Sequence, residues 1–519
     1  MALDAGHNLV HEFLEKSSKN YPDKIALIQN DDRVTYSQIN NQSNRLAYWL
    51  ITQEVQRERI ALLFENSLEY VAGYYGALKA GAVVSSISTD IKPQGLEYLL
   101  QQLEPKVLIS SFRFERVLKA SNLQDTSLKA LVIKKPRLDW SSEDLSAFTW
   151  DEIISEQDSE NPSLPIEDSE LASIVFTSGS TGKPKGVMLS HENIVSNTHS
   201  ICQSLCITKN DIQMVVLPFF YVMGLSLLNT HFSVGGTVVI NNKFAFPATV
   251  IKQMVEECVT AFSGVPSSYA YLLHRSPLAD YREELKSLRY CSQAGGHMSR
   301  SVKEELLRIL PENANIHIMY GATEASARLT CLEAEQYKDK MDSIGKPIPE
   351  VTIKILNEKA KQVELGQVGE LVGSGPNIMQ GYWNDEKASA RVLDENGYHT
   401  GDLGYQDDEG YLYLVGRKDS LLKVGGHRIN PQEIEDSLME TKLVVEVVVL
   451  GVPDELLGHR LIALVTPIGE GVNPNKILEK CTARLPRYKV PSKIILVKVI
   501  PKSTSGKFDR IKCLAFIKD

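Results

Sequence analysis

Residues 177–186 read Thr177-Ser178-Gly179-Ser180-Thr181-Gly182-Lys183-Pro184-Lys185-Gly186, a run of hydroxyls, glycines and two lysines around one proline. That mixture suits a polyphosphate. Glycines let backbone N–H groups approach anionic oxygens, Ser and Thr hydroxyls add donors, and Lys183 and Lys185 add charge. The apolar run Ile174-Val175-Phe176 before it reads as a strand, and Met188-Leu189-Ser190-His191-Glu192-Asn193 after it reads as the start of a helix. The common nucleoside-triphosphate loop, G-x-x-x-x-G-K-[ST], cannot be aligned to these residues. A flexible surface turn is the plainer alternative for any Gly/Ser/Thr stretch, but two lysines flanking a proline favour phosphate.

Further short blocks follow: Tyr320-Gly321-Ala322-Thr323-Glu324, Thr400-Gly401-Asp402-Leu403, Gly416-Arg417-Lys418-Asp419, Lys423-Val424-Gly425-Gly426 and Ser505-Gly506-Lys507. Most would be weak alone, yet their order and separation are specific. With them the chain resembles the adenylate-forming ligases, the superfamily of acyl-CoA synthetases, stand-alone aminoacyl adenylation enzymes and firefly-type luciferases. The signature [ST]-S-G-[ST]-T-G-x-P-K-G is met in full by residues 177–186, and the resemblance covers nearly the whole chain.

The resemblance implies an AMP-forming ligase using ATP and Mg²⁺, with coenzyme A as the thiol co-substrate. A carboxylate is a poor acylating agent, so it attacks the α-phosphate of ATP, releases pyrophosphate and becomes an acyl-adenylate that a thiol can open. Residues 177–186 would hold the β- and γ-phosphates. Thr323 would bond the α-phosphate and Glu324 would help hold Mg²⁺, a hard cation that prefers oxygen ligands. Tyr320 resembles the ring that stacks on adenine, although a core aromatic is the ordinary alternative. The paired glycines Gly295 and Gly296 match the stretch beside adenine and the acyl pocket. Asp402 could accept from both ribose hydroxyls, or could simply turn the chain; its spacing to Arg417 favours the ribose. Arg417 is expected at the ribose or phosphate, with Lys423 as a further phosphate contact.

Lys507 matches the lysine that reaches from a C-terminal lid to the substrate carboxylate and α-phosphate, where a mobile point charge suits developing charge. Asp419, two residues after Arg417, matches the pivot of that lid. Gly425 and Gly426 would lie where the rotated lid meets the phosphopantetheine arm.

The acid itself is less legible. Three loops, 218–224, 264–269 and 296–298, match those that line the acyl pocket in relatives, and Tyr221, Gly264 and His297 are their candidate contacts. Tyr221 stands where many acyl-CoA synthetases carry His. No acidic residue occurs between Asp211 and Glu256, which disfavours an α-amino acid held through its ammonium. His297 could aim into the pocket or bond neighbouring backbone. The acceptor stays open between free CoA and the phosphopantetheine arm of a carrier protein, since both end in the same thiol.

Composition fits a large enzyme. With 519 residues, 43% of them hydrophobic, several cores are expected. A net charge of −9 argues against a nucleic-acid surface. The seven scattered cysteines predict buried, reduced thiols over a metal site at Cys202, Cys206 and His199. No secretory signal and no membrane span is legible, so a cytoplasmic address is expected.

The elements that must position these residues alternate. Ile60–Phe64, a helix from Ser67 to Ala80 and Ala82–Ile87 read as a βαβ unit, repeated by Leu96–Leu103 and Lys106–Ile109. Residues 115–170 are more polar and predict a surface excursion. Val351–Leu356 and Gly369–Gly373 predict a small β-rich subdomain. Asn430, Pro431 and Glu433 predict a helix start with a capping box. The expected fold is α/β. Residues 1–416 form a large N-terminal domain of helix-covered sheets plus the β-rich subdomain, and 417–519 form a small, mobile α+β lid.

Overall fold

The computed structural model describes residues 7–140, 145–156, 159–177, 184–418, 421–425, 427–454, 457–502 and 507–517. Residues 178–183, Asp419, Gly426, Ser505 and Gly506, all named above for function, lie outside them.

The described residues form four sheets. The first unit of the chain shows why. Leu68–Lys79 is a helix because Ser67 caps it, its hydroxyl accepting from the Tyr70 N–H, and Gly81 at φ +69° reverses the chain after it. Strands Arg59–Leu63 and Val83–Ser86 flank this helix and pair in parallel, as a right-handed crossover demands. Strand Val107–Ser111 joins the other side. The eight-stranded sheet so begun continues on one side through Leu171–Thr177 and Lys185–Ser190 to the two-residue edge strand Gly381–Tyr382.

Two expectations are corrected here. The segment after the phosphate stretch does not open directly into a helix. Lys185–Ser190 returns antiparallel on Leu171–Thr177, with Val187 and Leu189 buried at alternate positions. The helix His191–Leu205 starts only afterwards, capped by Ser190 in a box with Asn193. The polar stretch 115–170 is not mainly an excursion either. Ala130–Lys134 and Ser146–Thr149 extend the same sheet in parallel, because the apolar run Ala130-Leu131-Val132-Ile133 is buried.

A nine-stranded sheet carries parallel strands Ile212–Val215, Ala261–Gly264, Tyr290–Gln293 and Asn315–Tyr320 side by side. Ligands of open parallel sheets bind beyond the carboxyl ends of such strands. An antiparallel third sheet includes Thr352–Leu356, Gly369–Ser374, Gly397–Gln406 and Leu412–Arg417. The fourth uses only residues from Leu422 to Leu496 around its own apolar core, which includes Val449, Ala463 and Ile477. Within it Asn430 caps the helix Pro431–Met439, but Glu433 makes no capping box. Its carboxylate is taken by Lys489 at 2.5 Å. The expected α/β fold, a large N-terminal body followed by a small C-terminal one, is the observed one.

Five of the seven thiols are buried, while Cys206 and Cys258 are exposed. No helix among the described residues is long and apolar enough to cross a membrane.

Candidate active site

Strand Asn315–Tyr320 delivers Tyr320 to the carboxyl edge of the nine-stranded sheet, and Gly321 follows. A Cβ at position 321 would lie 2.1 Å from the Ala327 carbonyl oxygen, so the backbone turns here only with glycine. The turn leads into a short 3-10 segment, Thr323–Ala325. Glu324 is held there by Tyr382, whose hydroxyl donates to its Oε1 at 2.8 Å.

The Tyr320 hydroxyl donates to Asp402 Oδ2 at 2.6 Å. Asp402 lies opposite Arg417 on neighbouring strands, with Arg417 Nε 3.3 Å from Asp402 Oδ1. Arg417 also donates to the Thr400 carbonyl at 3.1 Å. Burial raises the Asp402 pKa, against the lowering influence of Arg417, Tyr320 and Lys507. Tyr320 is a substantially enclosed aromatic, and its hydroxyl has a role not read from the sequence: it orients Asp402, the candidate ribose carboxylate.

Lys507 comes from the C-terminal body. The residue as a whole is exposed, but its ammonium end is enclosed and feels Arg417, Glu324 and Asp402. Burial and then Arg417 lower its pKa, while the two carboxylates oppose that shift. Four groups from distant parts of the chain thus converge: Glu324, Asp402, Arg417 and Lys507. Two cations and two carboxylates lie within electrostatic reach of one another, a charge pattern that suits a phosphate ester.

Two tyrosines belong to the same cluster and were not read from the sequence. Tyr382 holds Glu324, and its ring lies beneath the Lys185 ammonium at 4.8 Å. Tyr398 is buried nearby, its hydroxyl pushed up by burial and by the Glu324 charge. The only available signal was the Gly381-Tyr382 pair, which forms a two-residue strand against Met188 and Val187. Thr177 and Lys185 face each other across the mouth of the phosphate stretch.

The three loops expected to line an acyl pocket also meet. Gly295, at φ +81°, turns so that a Cβ there would sit 3.2 Å from Val265 and 3.7 Å from Met223 Sδ. A Cβ on Gly264 would press on Ser268 at 2.9 Å, and one on Gly296 would lie 3.3 Å from Pro266. Tyr221 precedes the helix Val222–Val234, its ring 4.5 Å from that of Phe220. His297 has a partner not read from the sequence: its Nε2 lies 2.8 Å from Asp436 Oδ1 in the C-terminal body. Lys423 lies in the short strand Leu422–Val424 and is exposed, with its carbonyl bonded to His459. No described contact brings it to the cluster. Gly425 turns the chain after that strand at φ +55°.

The family model for the AMP-binding enzyme matches residues 14–383, well over half of the chain. The chain belongs to the AMP-binding enzyme family. A second model, the AMP-binding enzyme C-terminal domain, matches residues 433–507 and ends on Lys507. Among curated members of the AMP-binding family, a long-chain-fatty-acid–CoA ligase of Bacillus subtilis is 29% identical, covering 99% of this chain and 95% of that protein. Among solved structures, an O-succinylbenzoate coenzyme A synthetase of Bacillus subtilis in complex with ATP and a magnesium ion is 27% identical. Its TM-score is 0.81, and the match covers 98% of this chain and 99% of that one. An anthranilate CoA ligase in complex with anthranoyl-AMP has the same fold, with a TM-score of 0.88 at 24% identity over 98% of this chain and 97% of that one.

Proposed function

We propose that this protein is an acid–CoA ligase that activates a carboxylic acid with ATP, releases pyrophosphate and passes the acyl group to the thiol of coenzyme A. The observation that carries this reading is the convergence of Glu324, Asp402, Arg417 and Lys507 from distant parts of the chain. Relatives that are acid–CoA ligases along nearly their whole length support it.

In the first step a substrate carboxylate oxygen attacks the α-phosphorus and the bond to the bridging oxygen of pyrophosphate breaks. Lys507 and Thr323 bond the oxygens on which charge grows, and Arg417 adds a second cation. Asp402 accepts from the ribose hydroxyls, its own position fixed by Tyr320. Residues 177–186 hold the outer phosphates. Glu324 fits a magnesium ion: it is a carboxylate oriented by Tyr382 and facing Lys507. Bound there, the ion would neutralise phosphate charge. In the second step the thiolate attacks the acyl carbon and AMP leaves, with the α-phosphate regaining the oxygen charge. A panel of carboxylic acids assayed for pyrophosphate release, with CoA or a carrier protein as acceptor, tests the reading; no release with any acid would overturn it.

Tyr221 we assign to the acyl pocket, since the loop that carries it also brings Met223 to Gly295. Tyr221→Ala is expected to shift relative kcat/KM among acids by about 1–3 kcal/mol, the scale of a changed pocket contact, with little change in the KM for ATP. A fixed acid preference with a raised KM for ATP would remove Tyr221 from the pocket.

We further propose that residues 417–519 move as a lid about Asp419, with Gly425 and Gly426 facing the thiol arm in the second step, and that the enzyme works in the cytoplasm. Pro fixes φ near about −65°, whereas a hinge must absorb a large change. Asp419→Pro is therefore expected to keep pyrophosphate release while thioester formation falls sharply. Equal loss of both steps in a folded variant would make Asp419 a plain turn residue.

A further inference from the structure

His297 and Asp436 make a side-chain contact across the two bodies of the molecule. His297 follows the paired glycines at the end of strand Tyr290–Gln293, and Asp436 stands on the helix Pro431–Met439. Nε2 and Oδ1 are 2.8 Å apart. Gln432, one turn back on the same helix, donates to the same Oδ1 at 3.3 Å and holds the carboxylate in place. On the other side, Asp436 faces the buried Lys303 of helix Arg300–Ile309, whose ammonium is committed to the Met341 carbonyl at 2.7 Å. Burial lowers Lys303 to about 8, and the charges of Asp342 and Asp436 pull against that shift. Arg300 also faces this corner, but is paired with Glu304 and Asp342.

The contact sits on the body that delivers Lys507. A second bridge between the bodies lies close to that lysine in sequence: Lys502, ion-paired with Glu446, places its ammonium 4.9 Å from the Tyr271 ring centre. The C-terminal body is tied to the large one at separated points, among them Asp436 on its first helix and Lys502 shortly before its last. Two points set an orientation where one would leave a swivel.

We propose that Asp436 and His297 form a latch that sets the orientation in which Lys507 reaches the Glu324–Asp402–Arg417 cluster, so that Asp436 is a positioning residue for the adenylation step. This rests on the ligase reading above. The lysine charge acts on oxygens at phosphorus, whereas opening of the adenylate by a thiol takes place at carbon. Loosening the latch should therefore slow the first half-reaction alone, through kcat and not through binding of ATP.

The full-length enzyme and its Asp436→Ala, Asp436→Asn, His297→Ala and double-alanine variants test it. Asp436→Ala is expected to lower kcat for pyrophosphate release about ten-fold, the scale of one charge-assisted hydrogen bond. Its KM for ATP should stay within about two-fold, and transfer from a chemically supplied acyl-adenylate to CoA should be unchanged. Asp436→Asn, which keeps an acceptor oxygen, should recover most of the rate. The double variant should be no slower than the slower single one, because both remove one shared contact. Additive losses, equal loss of both half-reactions, or unimpaired pyrophosphate release in Asp436→Ala would overturn the latch. A wild-type enzyme that releases no pyrophosphate with any acid would overturn the ligase reading instead. The latch then still stands or falls on spin-label distances between the two bodies. Broadening in Asp436→Ala supports it, and unchanged distances overturn it.

Discussion

Lys507→Ala is expected to lose roughly 10²–10³-fold in adenylate formation, the scale for removing one transition-state charge contact. Thiol transfer from a supplied acyl-adenylate should survive. The pH profile carries a second signature. The protonated amine is the active form, and burial with Arg417 holds its pKa below the ordinary lysine range. The rate of adenylation should therefore fall with rising pH at lower pH than a solvated lysine would give. That limb should be missing from Lys507→Ala. Unchanged pyrophosphate release in the variant would remove Lys507 from the reaction.

Asp402→Asn should cost about 10²-fold in kcat/KM for ATP, or about 2.7 kcal/mol. The side chain keeps its shape and can still accept from Tyr320, so Tyr320 should stay in place. What disappears is the charge that pairs with Arg417 at 3.3 Å and that would accept from the ribose hydroxyls. Comparison of ATP with 2′-deoxy-ATP isolates the second effect. Wild-type enzyme should prefer ATP strongly, and the variant should discriminate far less. An undiminished preference would mean that Asp402 acts through Arg417 and not on the sugar.

Much of the fold was legible because its signals are local. Ser67 and Gly81 bracket a helix within one stretch of chain, and the expected strands on either side of it are the observed ones. The hairpin after residue 186 was misread because Val187 and Leu189 supply only two alternating positions, too few to separate a strand from a helix start. Asn430 capped its helix as expected, but Glu433 answered to Lys489, fifty-six residues away in sequence. The candidate site divides in the same manner. Tyr320, Asp402 and Arg417 sit in short motifs with fixed spacing. Tyr382 gains its meaning only from pairing with the strand after the phosphate stretch. The partner of His297 lies 139 residues further on, a separation at which a single sequence carries no pairing information.

Asn430 has a consequence for how firmly the C-terminal body is seated. Its side-chain oxygen accepts from the Gln432 N–H, while its amide donates to the Val415 carbonyl on the last strand of the third sheet. Like His297–Asp436 and Lys502–Tyr271, this is a single polar tie and not a slab of buried apolar surface. Each such tie contributes on the order of 1 kcal/mol, and water can replace it when it breaks. These ties are the readily exchanged part of the seating, beside the apolar packing of Met439 on the core that includes Phe262 and Met298. A bias of about 1.4 kcal/mol changes a two-state ratio ten-fold. Under the lid proposal, a ligand preference of that order would shift the seating without unfolding any part of the small core around Val449 and Ala463.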